Sequence, residues 1–308
     1  MEPEAVGSPP QASARAPTFA CGGLVASLRP QQWIKNGFVF AALIFSRSIT
    51  DWARITRVTE GAILFCLMSS AVYLLNDILD APEDRLHPVK KLRPLASGRL
   101  GVGTAWLTAI LLAFVSLGGA WILDAKFFVI LAAYGLLNVL YSLALKRVVL
   151  VDVFVISAGF VLRVVAGGVI IHVEISPWLV VCATLLALFL ALSKRRHELV
   201  VLGRTAGEHR EILSSYSPYF LDQLIGIVTA STLMSYALYT LSSDVQVKFP
   251  GKRLDLTIPF VLFGIFRYLY LVHHDREGGD PTRLLFTDSV LLSVVLFWAA
   301  SVIFIIYL

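Results

Sequence analysis

Long apolar runs separated by short polar clusters set the pattern of this chain from residue 36 to its end. Nine stretches read as membrane-spanning helices, each measured against the roughly 20 residues a helix needs to cross a bilayer. They fall near 36–50, 57–79, 103–123, 126–145, 149–171, 177–193, 219–241, 256–273 and 286–307. The first is short and leans on the turn around Trp33, a residue type that settles at headgroup level. The connections are brief, so the pattern predicts an all-α, polytopic membrane bundle of about nine transmembrane helices, one domain over residues 29–308. Residues 1–28, rich in Ala, Pro, Ser and Gly, lack the basic start and apolar core of a signal peptide and read as a disordered tail.

Composition sharpens this picture. The chain is 57% hydrophobic with a mean hydropathy of +0.77, which excludes an ordinary soluble domain. Cys21, Cys66 and Cys182 lie far apart and give neither a disulfide framework nor a CxxC metal site. The net charge is +5, but the placement of the bases matters more than their sum. Lys and Arg concentrate in the N-terminal segment and in the connections after the second, fourth, sixth and eighth spans, so the positive-inside rule puts that face in the cytoplasm. A polar cytoplasmic cap over a ring of helices follows, with membrane lipid as a partner and no reason to expect nucleic acid. A homo-oligomer is compatible with the sequence.

The chemistry gathers where the second span ends, at Asn76-Asp77-Ile-Leu-Asp80-Ala-Pro-Glu83-Asp84. Asp77, Asp80 and Asp84 are spaced i, i+3, i+7 and so share one helical face, with Pro82 interrupting the helix or marking its exit. Three carboxylates at a helix mouth repel one another unless a cation lies between them. Mg²⁺, a hard ion that takes oxygen ligands and often binds through carboxylates plus substrate phosphates, is the expected one. The constrained loop that follows carries His87, Lys90, Lys91, Arg93 and Arg99 and would meet the rest of a diphosphate. A second basic segment, Ser193-Lys194-Arg195-Arg196-His197-Glu198 continuing to Arg204 and His209, leaves the sixth span on the same side.

Other polar positions are weaker signals. Gln32, Lys35 and Asn36 stand at the mouth of the first span, and Tyr141, Lys146 and Arg147 close the fourth; both groups lie at the depth of a lipid phosphate. Asp152 and Arg163 are eleven residues apart on the fifth span and share a face, which leaves both a structural ion pair and a substrate contact open. Arg267 lies about two turns from the cytoplasmic end of the eighth span, within reach of the same cavity. No Ser-His-Asp or Cys-His arrangement offers itself for nucleophilic catalysis. A lipid-phosphate transporter with a charged gate would place broken helices at mid-membrane; here the polar residues cluster at one surface, which favours an enzyme.

Asn76-Asp77-x-x-Asp80-x-x-x-Asp84 resembles the first aspartate-rich motif of the UbiA superfamily of intramembrane prenyltransferases. Further stretches resemble its decaprenyl-phosphate phosphoribosyltransferase branch, which serves arabinan synthesis for the actinobacterial cell wall. They are Arg29-Pro-x-Gln32-Trp33-x-Lys35-Asn36, Asp84-Arg85-x-His87-Pro-x-Lys90-x-x-Arg93-Pro, Tyr141 to Arg147, Asp152 to Arg163, and Ser193 to Glu198 with Arg204. The resemblance implies Mg²⁺-dependent transfer of 5-phosphoribose from 5-phosphoribosyl 1-diphosphate to polyprenyl phosphate. Asp77, Asp80 and Asp84 would be the catalytic metal ligands. Asn76, Lys90, Arg93, Lys194, Arg195, His197 and Arg204 would meet the donor phosphates. Gln32, Lys35, Asn36, Tyr141, Lys146 and Arg147 would meet the lipid phosphate, and Asp152, Arg163, Glu198 and Arg267 would line the polar interior. The aromatic-prenylating members carry a second acidic cluster after the sixth span, where this chain has Lys194-Arg195-Arg196-His197-Glu198. Prenyl transfer from a prenyl diphosphate to an aromatic or quinone precursor is the competing expectation, and it has no use for those bases.

Overall fold

The computed structural model describes residues 20–86, 89–202, 211–274 and 281–308. Its long helices are α3 (Trp52–Leu86), α4 (Val102–Leu123), α5 (Ala125–Leu143), α6 (Val151–Ile170), α7 (Pro177–Leu202), α8 (Pro218–Leu241), α10 (Ile258–His274) and α12 (Ser289–Tyr307). Short α-helices among the described residues are α1 (Ala20–Leu28), α2 (Ala41–Phe45), α9 (Ser243–Lys248) and α11 (Pro281–Thr287). Among the described residues, eight helical segments are long and apolar enough to cross a membrane, and the chain is a multi-pass, all-helical membrane protein.

The expected first span takes another form. Residues 36–50 divide between a 3₁₀ segment, Pro30–Phe40, and the five-residue α2. The cause is chemical: Asn36, placed where a lipid-facing helix needs apolar side chains, is buried instead between α3 and α6. Residues 20–28, expected within the tail, form α1, whose Leu24 and Leu28 pack on Leu74, Leu95 and Leu100. Nor does α3 stop at Pro82. It runs through to Leu86, and its 35 residues span about 50 Å. Pro82 forfeits one backbone hydrogen bond close to the helix end, where the loss is small. α3 therefore outreaches the hydrocarbon layer and carries its aspartates beyond it as one continuous helix.

Helix ends and contact faces follow from local sequence. Asp124 caps α5 through Lys126 N–H (2.7 Å) and Phe127 N–H (2.9 Å), Ser217 caps α8 ahead of Pro218, and Asp288 caps α12 through Leu291 N–H (2.7 Å). At the membrane face away from the aspartates, Arg57 donates to Leu123 O and Ile170 O, each at 3.0 Å, satisfying the orphan carbonyls of α4 and α6 together. α4 turns Ala105, Ala109, Ser116 and Ala120 toward α3 and leaves Leu107, Ile110, Leu111 and Phe114 to the lipid. One core surrounds Val39, Phe65, Phe127, Leu131 and Ile170, a second Phe189, Leu221, Ile225 and Leu271.

The 3₁₀ segment lies in a notch on α6. A Cβ at Gly167 would stand 2.0 Å from Val39 O, a backbone atom that cannot rotate aside. Gly167→Ala is expected to lower stability by about 1–3 kcal/mol through overpacking, seen as a lower thermal unfolding midpoint in detergent. An unchanged midpoint would mean that the segment does not sit this close.

Candidate active site

The end of α3 presents Asp77, Asp80 and Asp84 on one face, and each meets a base delivered by a different element. Arg93 bridges two of them, with Nη1 2.6 Å from Asp84 Oδ2 and 3.3 Å from Asp77 Oδ1. Its loop is held from beneath: Leu95 and Leu100 are buried, Gly98 takes φ +76° at the turn, and Leu100 N–H donates to Pro94 O. Lys146, on the 3₁₀ turn Leu145–Arg147 after α5, places Nζ 2.6 Å from Asp80 Oδ1. Asn76 Nδ2 donates to the other Asp80 oxygen at 2.8 Å, and Ser142 Oγ donates to Asn76 Oδ1 at 3.2 Å.

Arg29 completes this half. It joins α1 to the 3₁₀ segment in the left-handed region, φ +52°, with its guanidinium on Asp77 and 4.9 Å over the Tyr73 ring. Arg29 has no role among the residues to which the sequence pattern points. A base directly before Pro at a span mouth, opposite three acids, was the available signal. Ser142 carried none. The left-handed conformation of a non-glycine residue is strained and persists only where its surroundings impose it.

The second half lies across the face, on α6 and α7. Arg195, expected at the donor phosphates, is 1% exposed and spent on carboxylates: Nε is 2.6 Å from Asp152 Oδ2 and Nη1 2.7 Å from Glu198 Oε2, with Tyr141 OH at 3.3 Å. Tyr216 OH donates to Asp152 Oδ1 at 2.9 Å and accepts Leu150 N–H at 2.8 Å. Burial pushes the Tyr216 hydroxyl up to about 12, so it remains a donor throughout the neutral range. This network ties α5, α6, α7 and the Glu211–Ser215 turn into one plate beside the aspartates.

The remaining expected residues divide. Lys90 on its short turn, Lys194 within 4.0 Å of Glu198, and His197 are partly exposed at this face, as are Gln32, Lys35 and Tyr141; Arg147 is exposed. Asn36 is not at the surface but 2% exposed, hydrogen-bonded to Arg163. Asp152 and Arg163 do not pair, because Asp152 is taken by Arg195. Arg267 is engaged by Asp288: Nη2 lies 2.6 Å from Asp288 Oδ2, joining α10 to the cap of α12. Arg204, His87 and His209 lie outside the described residues. The three aspartates do not converge on one point either. Arg93 draws Asp77 and Asp84 together while Lys146 and Asn76 hold Asp80, and among the described residues no three acids, histidines or cysteines form a ready ligand group.

Comparison with known proteins places the chain. The model of the UbiA prenyltransferase family matches residues 37–195. A decaprenyl-phosphate phosphoribosyltransferase of Corynebacterium glutamicum is 32% identical over 95% of this chain and 89% of its own length. One of Mycolicibacterium smegmatis is 31% identical over 95% of each. Among solved structures, a UbiA homologue from Archaeoglobus fulgidus bound to GPP and Mg²⁺ has the same fold, with a TM-score of 0.71 at 20% identity, covering 93% of this chain and all of that one.

Proposed function

Because the chain belongs to the UbiA prenyltransferase family, we propose from its site that it moves 5-phosphoribose from 5-phosphoribosyl 1-diphosphate onto a polyprenyl phosphate. The C1–O bond to diphosphate breaks, a C1–O bond to the lipid phosphate forms, and diphosphate leaves. The acceptor oxygen is already anionic, so no strong general base is required; positioning and electrostatics carry the rate. The observation that supports this reading is the arrangement of charge. Asp77, Asp80 and Asp84 stand among Arg29, Arg93 and Lys146, and the last third of α7 carries Lys194, Arg195, Arg196 and His197 where a second acidic cluster would serve prenyl transfer.

The carboxylates supply hard oxygen donors, and Mg²⁺ commonly binds through one or two carboxylates together with substrate phosphates, so the Asp77 and Asp84 carboxylates that Arg93 draws together fit it, with Asp80 one helical turn away. Asp77, Asp80 and Asp84 would hold it, and a bound divalent cation there neutralises the charge of the leaving diphosphate. Arg93, Lys90, Lys194, His197 and Arg204 are assigned to the donor's phosphates, Arg through its bidentate fork. Asn76 acts through Asp80, orienting that carboxylate. Lys146, Lys35, Gln32, Tyr141 and Arg147 are assigned to the lipid phosphate. Arg195 with Asp152 and Glu198 braces the plate that carries them. The excess of Lys and Arg on this face supports a cytoplasmic placement, in the cell membrane.

Two labelled donors test the reaction. With label in the ribose, counts are expected to enter the lipid phase only when polyprenyl phosphate and Mg²⁺ are present. With label in the β-phosphate, they are expected to stay in water. Lipid labelling from the β-phosphate, or from neither donor, would contradict the assignment.

A further inference from the structure

A cation lies far below this face, on the same helix as Asp152. Arg163 is 5% exposed, about three turns deeper along α6. Its Nε donates to Asn36 Oδ1 at 2.8 Å, Nη2 to Tyr134 OH at 2.9 Å and Nη1 to Gly159 O at 2.7 Å. The rings of Tyr134, Phe160 and Phe65 surround it, with centroids 4.6, 5.6 and 5.7 Å from its central carbon. Every one of these partners is neutral, and among the described residues no carboxylate forms an ion pair with it. A buried charge in a membrane span is costly, and a packed apolar side chain would serve stability better. Its retention calls for another role.

The partners indicate which. Asn36 lies one residue past the midpoint of the Pro30–Phe40 3₁₀ segment and is held between helices: Nδ2 donates to Cys66 Sγ at 3.1 Å, and Oδ1 accepts from Arg163 and, at 3.4 Å, from Ser69. Runs of 3₁₀ helix longer than three or four residues are uncommon because their hydrogen bonds are poorly aligned. This one has eleven residues and begins at the left-handed Arg29. Its own backbone does not account for it; its attachments do. Besides Asn36 these are Trp33 Nε1 on Ser70 Oγ at 3.0 Å and Val39 O in the Gly167 notch. The same segment carries Arg29, whose guanidinium sits on Asp77, together with Gln32 and Lys35.

We propose that Arg163 is a positioning residue for the transfer reaction, fixing the depth and roll of the 3₁₀ segment through Asn36 so that Arg29 and Lys35 face the donor and acceptor phosphates. This rests on the reading of the Asp77 face as the reaction site. The neutral partners are what the task requires: a carboxylate would draw Arg163 away from Asn36, whereas a guanidinium fork can hold Asn36, Tyr134 and Gly159 at once.

The test compares Arg163→Met, Arg163→Lys and Asn36→Ala with the parent in lipid nanodiscs, by steady-state kinetics, thermal unfolding and deuterium exchange of backbone amides. Arg163→Met is expected to lower kcat about thirtyfold or more with the unfolding midpoint unchanged or raised. Exchange should quicken at least tenfold across residues 29–40 and not across α5. Asn36→Ala should reproduce both effects, and the double variant should be no worse than either single one, because the two act through one contact. Arg163→Lys keeps the charge but loses the fork, and is expected to lose about tenfold in kcat with the same faster exchange; it carries the test if Arg163→Met fails to fold. Parental kcat in these variants, loss of kcat in step with the unfolding midpoint while residues 29–40 exchange normally, or additive losses would each overturn the proposal. The exchange measurement needs no substrate, so it separates failure of the positioning role from failure of the reaction assigned to the site.

Discussion

Asp80→Asn is expected to slow phosphoribosyl transfer by about a hundred- to a thousandfold, the range seen when one electrostatic contact to developing charge is removed. The same substitution should scarcely change stability. The Asp80–Lys146 pair is partly exposed, each side chain 20% so, and such pairs contribute about 1 kcal/mol or less. An asparagine oxygen still accepts from Asn76. Asp77 offers a less clean experiment: it is buried under Arg29 and Arg93, and neutralising it leaves Arg29 without its acid and Arg93 with Asp84 alone. Rates measured against Mg²⁺ concentration, beside a thermal unfolding curve, separate the two kinds of effect. Full Mg²⁺-dependent turnover in Asp80→Asn would sink the metal assignment.

Arg195→Met should do the opposite, damaging stability before chemistry. Asp152 is 0% exposed, and removing its guanidinium takes the ion-pair partner from a buried carboxylate that the Tyr216 hydroxyl also contacts, a loss of about 3–5 kcal/mol. The accompanying Asp152→Leu change is expected to recover much of the unfolding midpoint, since a matched apolar pair avoids the desolvation cost. Were Arg195 instead a direct phosphate ligand, the single variant would keep its midpoint and lose kcat/KM, and Asp152→Leu would repair nothing. Unfolding midpoints of the single and double variants beside the parent decide between these outcomes.

The two residues also show how far the sequence could be read. The aspartate register was legible because helical spacing and a basic loop hard against it are both local properties of the chain. Span positions were legible for the same reason, since hydropathy sums over neighbours. Hydropathy does not report backbone conformation, so the 3₁₀ form of Pro30–Phe40 was hidden, as was the continuation of α3 through Pro82. Ion-pair choice was hidden as well. Spacing put Asp152 and Arg163 on one face, yet helix packing gave Asp152 to Arg195, 43 residues away, and gave Arg163 to Asn36, 127 residues back. Arg267 likewise found Asp288 only because α10 and α12 pack together. Arg29 combines both cases: its neighbours mark a juxtamembrane turn, but its landing on Asp77 depends on a strained conformation that tertiary attachments impose.

The central claim is that a phosphoribosyl group, not a prenyl group, is what this site transfers. Mass spectrometry of the lipid products tests it most directly. The protein, reconstituted in vesicles, is given polyprenyl phosphate, 5-phosphoribosyl 1-diphosphate, a prenyl diphosphate and an aromatic acid together with Mg²⁺. The expected product is the polyprenyl phosphate made heavier by one phosphoribosyl group, absent when Asp80→Asn replaces the parent. An unchanged polyprenyl phosphate alongside a prenylated aromatic acid would contradict the account, and would leave the bases of α7 to structural ion pairing and topology.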